Sequence, residues 1–67
     1  MKTKIEINAV GNEVTKTFDI TKSWDDGETV TYRTNELSPE EFEEMEYNTS
    51  NDWQNFLNTS QDYYLVK

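Results

Sequence analysis

The sequence predicts an α+β fold: a small antiparallel sheet of three to four strands in a meander, packed by one or two short helices. Three observations predict it. Residues 4–34 alternate apolar and polar side chains at the period of half-buried strands. Two glycine-bearing turns, Gly11-Asn12 and Asp25-Asp26-Gly27, divide that stretch. From Leu37 onward the period becomes helical, behind a complete helix-start signal.

The first strand, "KIEINAV", sets Ile5, Ile7 and Ala9 on one face. Gly11-Asn12 supplies two residues that tolerate positive φ, as a two-residue hairpin turn requires. The next strand, "EVTKTFDITKSW", puts Val14, Phe18, Ile20 and Trp24 on one face. With Val10 paired to Glu13, Ile5 falls opposite Phe18 and Ala9 opposite Val14, so the apolar faces coincide.

The second turn is decided by the same test. A two-residue loop Asp26-Gly27 pairs Ile20 with Arg33 and mixes the faces. A three-residue loop Asp25-Asp26-Gly27, with Gly27 in the left-handed region, pairs Ile20 with Tyr32 and Phe18 with Thr34. The longer loop is therefore expected before the third strand, "ETVTYRT".

The helix start is the best-specified feature. Ser38 is the expected N-cap, Pro39 the first helical residue, and Glu41 closes a capping box three places on. Leu37 and Phe42 complete a hydrophobic staple. Phe42 and Met45 fall on the buried stripe, whereas Glu40, Glu43, Glu44 and Tyr47 share the opposite side and Glu46 lies nearer the Phe42 edge. A second short helix is expected after "YNTSN", capped by Asn51 with Gln54 three residues on and carrying Trp53, Phe56 and Leu57 at helical spacing. "YYLVK" reads as a terminal strand.

Sixty-seven residues imply one domain, 1–67. A hydrophobic content of 33% and a net charge of −8 are unfavourable for so short a chain to fold alone. With no cysteine and no histidine, a disulfide framework and thiolate or imidazole metal sites are excluded, and so is the commonest general base. Oligomerisation or a tight partner is the remaining source of buried surface. No apolar run reaches membrane-spanning length and no signal-peptide pattern opens the chain, so a cytoplasmic protein is expected.

The charge is unevenly placed. Residues 1–35 carry five cations against six carboxylates, but residues 36–67 carry only Lys67 against eight. Such a surface repels nucleic acid and attracts a cationic protein. From Glu36 to Asp52 no lysine or arginine interrupts the carboxylates. A helix that is merely solvated normally intersperses cations for favourable i, i+4 pairs. Carboxylates one turn apart stand ~6 Å from one another, a spacing that can stand in for successive phosphates of a DNA strand. The ordinary alternative is a solubilising face.

No catalytic residue, metal site or cofactor is expected. The carboxylates are too exposed by pattern for a glycosidase pair, and "DDGE" at 25–28 lacks the alternating ligands of a calcium loop. Phe18, Trp24, Phe42, Trp53 and Phe56 are assigned to the core. Tyr32, Tyr47, Tyr63 and Tyr64 are amphipathic and suit an interface or a pocket rim.

The order of strand, "DDG", strand ending in an aromatic, then "LSPEEFEEMEYNT" resembles the short, dimeric uracil-DNA glycosylase inhibitors of phages. The correspondence runs ungapped over roughly residues 16–57, and is most specific at Leu37-Ser38, Phe42-Glu43, Asn48-Thr49 and Asp25-Asp26-Gly27. The resemblance implies a three-stranded sheet with a helix, assembled as a homodimer that imitates DNA. It implies that acidic groups cover the enzyme's phosphate-binding surface. An apolar pocket at the dimer interface would take the leucine the enzyme wedges into the duplex.

Phe42 and Glu43 match the family's helix positions for pocket and acidic contact. Where the family has a tyrosine one turn after the phenylalanine, this chain has Glu46, with Tyr47 next. A family glutamate on the preceding strand is replaced by Tyr32. The expected partner is therefore a host uracil-DNA glycosylase, met through Glu40, Phe42, Glu43, Glu44, Glu46, Tyr47 and Tyr32. The alternatives are a DNA mimic aimed at a restriction or CRISPR nuclease, and a non-enzymatic acidic interaction module.

Overall fold

The computed structural model describes residues 4–66, and their side chains from Glu6 onward. Four antiparallel strands form one sheet in the order β1-β2-β3-β4. They are β1 (Lys4–Asn12), β2 (Thr17–Trp24), β3 (Thr29–Thr34) and β4 (Tyr63–Leu65). Between β3 and β4 the chain forms α1 (Pro39–Met45) and α2 (Ser50–Thr59). The α+β meander with two short helices is thus the architecture that the patterning predicts. The expected inward side chain of Ile5, the strand start at Thr3 and the strand end at Lys67 lie outside the description.

The second hairpin has the predicted form. Ile20 pairs with Tyr32 and Asp19 with Arg33, Gly27 takes a φ of 90°, and Trp24 N–H donates to the Glu28 carbonyl at 2.9 Å. The three-residue loop keeps every inward residue of β3 on the inward face.

The first hairpin differs from the expectation. β1 runs on through Gly11-Asn12, and the reversal is the four-residue turn 13–16. Ala9 pairs with Ile20 rather than Val14, and Gly11 with Phe18. Two interactions select this register. The Asn12 side-chain Oδ1 accepts from the N–H groups of Val14 and Thr15 at 2.9 and 3.2 Å, and Lys16 N–H returns to the Asn12 carbonyl at 2.8 Å with Lys16 at φ 58°. Asparagine stabilises such turns through its own backbone neighbourhood.

Gly11 serves not as a turn residue but as a gap. A Cβ there would stand 2.8 Å from Phe18 Cε1 and 3.2 Å from Phe42 Cζ. The slip spans an even number of residues, so the inward face survives it. Val14 is displaced by it, from the expected inward face to a turn position with 92% exposure.

The core lies between the inner sheet face and the helices. Ile7, Phe18 and Ile20 from the sheet meet Phe42 of α1 and Trp53 and Leu57 of α2. Phe18 is its centre, stacked on Phe42 at 4.7 Å and tilted against Trp53 at 5.0 Å. Phe56 packs against this cluster from the side. Trp24, expected in the core, is half-buried and outside it, with the Lys22 ammonium 5.6 Å from its ring centroid.

α1 begins as predicted, with Ser38 and Glu41 in a reciprocal capping box. α2 begins two residues earlier than expected. Its cap is Thr49, not Asn51, and its box partner is Asp52, not Gln54. A charged carboxylate accepts the cap N–H more strongly than an amide oxygen. The earlier start also brings Ser50 to β1, where its hydroxyl donates to the Ile7 carbonyl at 3.2 Å. No helix among the described residues is long and apolar enough to cross a membrane.

Candidate functional site: the glutamate face of the first helix

α1 is anchored to the core by its one buried residue, Phe42, with Met45 packed at the core's edge. Phe42 is 4% exposed and inserts between Phe18 and the opening left by Gly11. Leu37, ahead of the cap, also packs against the core, and its N–H donates to the Lys16 carbonyl at 2.9 Å. With Phe42 pointing inward, a helical period of 3.6 residues carries Glu40, Glu43 and Glu44 outward.

Glu40, Glu43, Glu44 and Tyr47 line one open depression of about 540 Å³. All four are exposed, Tyr47 at 81%. Glu43 and Tyr47 also border a second depression, of about 430 Å³, completed by Glu13, Lys16, Pro39, Phe42 and Glu46. The two together make a continuous acidic surface, with Glu43 and Tyr47 common to both parts. Among the described residues no cation forms an ion pair with Glu40, Glu43, Glu44 or Glu46. Lys16, which lines the second depression, donates to the Glu13 carbonyl at 2.9 Å and its ammonium lies 5.3 Å from the Phe42 ring centroid.

Five of the seven residues singled out from the sequence therefore gather at this surface as exposed groups: Glu40, Glu43, Glu44, Glu46 and Tyr47. Phe42 reaches it only as the floor of the second depression, because its ring is committed to the stack with Phe18. Tyr32 lies elsewhere. It points to the inner sheet face, packs against the core and meets Tyr63 edge-on at 5.3 Å.

Sequence reasoning missed Glu13 and Lys16, which reach the second depression from the β1–β2 turn. Both were assigned to a strand by the misplaced hairpin. The signal that locates them is Asn12, whose side chain favours opening a turn at that position.

The opposite sheet face has a different character. Arg33 bridges Asp19 at 2.8 Å through Nε. Hydrogen bonds to Asp19, then to Tyr64, raise the guanidinium pKa above its ordinary value. With Asn12, Thr15 and Thr17 these groups line a smaller cleft of about 270 Å³.

Fold and site together define a small α+β meander whose sheet carries a glutamate-faced helix. The chain matches no protein-family model, no curated protein and no solved structure.

Proposed function

We propose that this chain is a protein mimic of DNA that inhibits a host uracil-DNA glycosylase in the bacterial cytoplasm. One observation carries the reading: Glu40, Glu43 and Glu44 stand together, exposed and with no ion-pair partner among the described residues, on the side of α1 turned from the core. Their mutual repulsion destabilises the isolated helix, and a cationic groove relieves it. The same groove is what an enzyme uses to hold phosphates. Electrostatic attraction speeds the encounter, and Tyr47 adds an amphipathic contact of the kind that dominates interfaces.

The homodimer belongs to this reading, because capture of the enzyme's wedging leucine uses a pocket at the dimer interface. The experiment is a glycosylase assay on uracil-containing DNA, with the complex weighed by sedimentation. The expected result is stoichiometric inhibition with two chains per enzyme. The combined change Glu40→Gln, Glu43→Gln, Glu44→Gln should weaken inhibition at least tenfold and flatten its dependence on salt. Full enzyme activity in excess of the protein overturns the reading.

A second reading is favoured by the burial of Phe42. With its ring stacked on Phe18 and 4% exposed, Phe42 offers little surface to a leucine, whereas the exposed glutamates do not depend on it. A DNA mimic aimed at another nucleic-acid enzyme, such as a restriction or CRISPR nuclease, needs the face alone. Salt-sensitive inhibition of such a nuclease, with the glycosylase untouched, selects it.

A further inference from the structure

The two helices are tied to the rest of the molecule unequally. α2 buries Trp53 and Leu57 and packs Phe56 against the core. Its Ser50 hydroxyl donates to the Ile7 carbonyl, and its Leu57 carbonyl accepts from the Tyr63 hydroxyl. α1 buries Phe42 alone. Among the described residues, one hydrogen bond joins residues 36–48 to the rest of the chain, from Leu37 N–H to the Lys16 carbonyl at 2.9 Å. The segment's other hydrogen bonds close on itself, through the Ser38–Glu41 box, Glu46 N–H to the Phe42 carbonyl and Asn48 N–H to the Met45 carbonyl.

Both ends of the segment are fixed independently of α1. On one side Asn35 N–H donates to the Asp62 carbonyl at 2.9 Å. On the other, Thr49 and Asp52 form the cap of α2. Residues 36–48 can therefore swing away without breaking either. Their main anchor sits at the border of the core, because Phe42 also lines the second depression. The charges oppose docking: Glu40, Glu43 and Glu46 follow one another at intervals of three, and the last turn holds no cation.

We propose that residues 36–48 form a hinged lid that opens as one unit while the sheet and α2 stay folded, and that cationic charge around Glu43 and Glu46 holds it shut. Elements with few buried apolar contacts are the ones that open below the global unfolding free energy. Opening uncovers the side of the Phe18 ring on which Phe42 is stacked. The hinge stands on this chain alone. Its consequence for a partner rests on the reading of α1 as a docking face: cations that meet these glutamates favour the closed form, so binding and closure are linked.

Native-state hydrogen exchange of the full chain in a urea series tests this. The amides of Leu37, Phe42 and Glu46 should share one opening equilibrium. It should be at least about tenfold more populated than the one that exposes the Phe18 and Trp53 amides, with a smaller urea slope. Raising salt from about 0.01 M to about 1 M shortens the Debye length from about 30 Å to about 3 Å. Protection of the three amides should then rise about two- to fivefold. Glu43→Gln/Glu46→Gln should reproduce that gain at low salt and remove its salt dependence. Phe42→Ala should strip protection from the three amides and leave Phe18 and Trp53 protected. The wild-type urea series decides the matter by itself where that variant does not fold.

Equal protection and equal urea slope for all five amides overturn the lid, because α1 then opens only with the whole fold. Separate openings of Leu37, Phe42 and Glu46 overturn it too, as fraying. Protection indifferent to salt and to the two glutamine substitutions overturns the control by charge. Failure to inhibit the glycosylase refutes the choice of enzyme and leaves the exchange of the free chain to decide about the lid.

Discussion

Thr34 shows how much one side chain does in a core this small. It is fully buried, and its Oγ1 accepts the Phe18 N–H at 3.0 Å. It thereby satisfies the backbone of the residue around which the aromatic stack is built. Thr34→Val keeps the volume and removes only the acceptor, leaving a buried N–H unpaired. The expected loss is about 1–3 kcal/mol, measured by urea unfolding. Thr34→Ser, which keeps the hydroxyl, should lose less, and a valine variant as stable as wild type overturns the assignment. Gly11 works beside it in the opposite sense, by having no side chain where Phe18 and Phe42 meet.

At the level of elements, legibility followed the locality of the signal. The α1 start was readable because cap, proline, box and staple lie within six consecutive residues, Leu37 to Phe42. The second hairpin was readable because only one of two loop lengths keeps the faces apart. The first hairpin was not, because registers that differ by an even number of residues present the same faces. The choice depended on Asn12 capping its own turn and on space at Gly11. Those are a side-chain interaction and a tertiary packing fact. The exposed glutamates of α1 were legible for the same reason as its start. Glu13 was lost with the hairpin, whereas the burial of Phe42 was legible from the helical stripe it shares with Met45.

The two caps considered for α2 differ in a way that experiment separates. Thr49 and Asp52 exchange hydrogen bonds of 3.2 and 3.0 Å, and Asn51 lies exposed inside the helix. Thr49→Ala should cost about 1 kcal/mol. Asn51→Ala should leave stability unchanged or slightly raised, alanine being the better helix former. Urea midpoints decide it, and the reverse order of the two would return the helix start to Asn51.

Across the whole molecule, the sheet edges and the charge serve different ends. β1 is a long edge strand, which invites pairing with other chains. α2 lies against it, with Ser50 hydrogen-bonded to the Ile7 carbonyl, and the other edge, β4, is three residues long. Association through added strands is thereby discouraged, which leaves the side-chain surfaces for partners.

The charge is organised with the opposite effect on stability. Glu43 stands three residues from both Glu40 and Glu46, and Glu46 forms the C-cap, at the negative end of the helix dipole, where a cation would be favourable and none is present. Some of the glutamates do assist the fold: Glu41 closes the capping box, and Glu40 lies in the first turn, where negative charge is favourable. Glu43 and Glu46 have no such role. Substituting both with glutamine should therefore stabilise the isolated protein, by about 0.5–1 kcal/mol at low ionic strength. The gain should vanish near 1 M salt, where the Debye length falls to about 3 Å. Thermal unfolding of the wild type and Glu43→Gln/Glu46→Gln across a salt series measures it. A variant less stable than wild type at low salt would mean that the acidic surface is relaxed in the free chain, with no repulsion stored for a partner to relieve. If instead stability rises while partner binding falls, the same two carboxylates oppose folding and drive recognition.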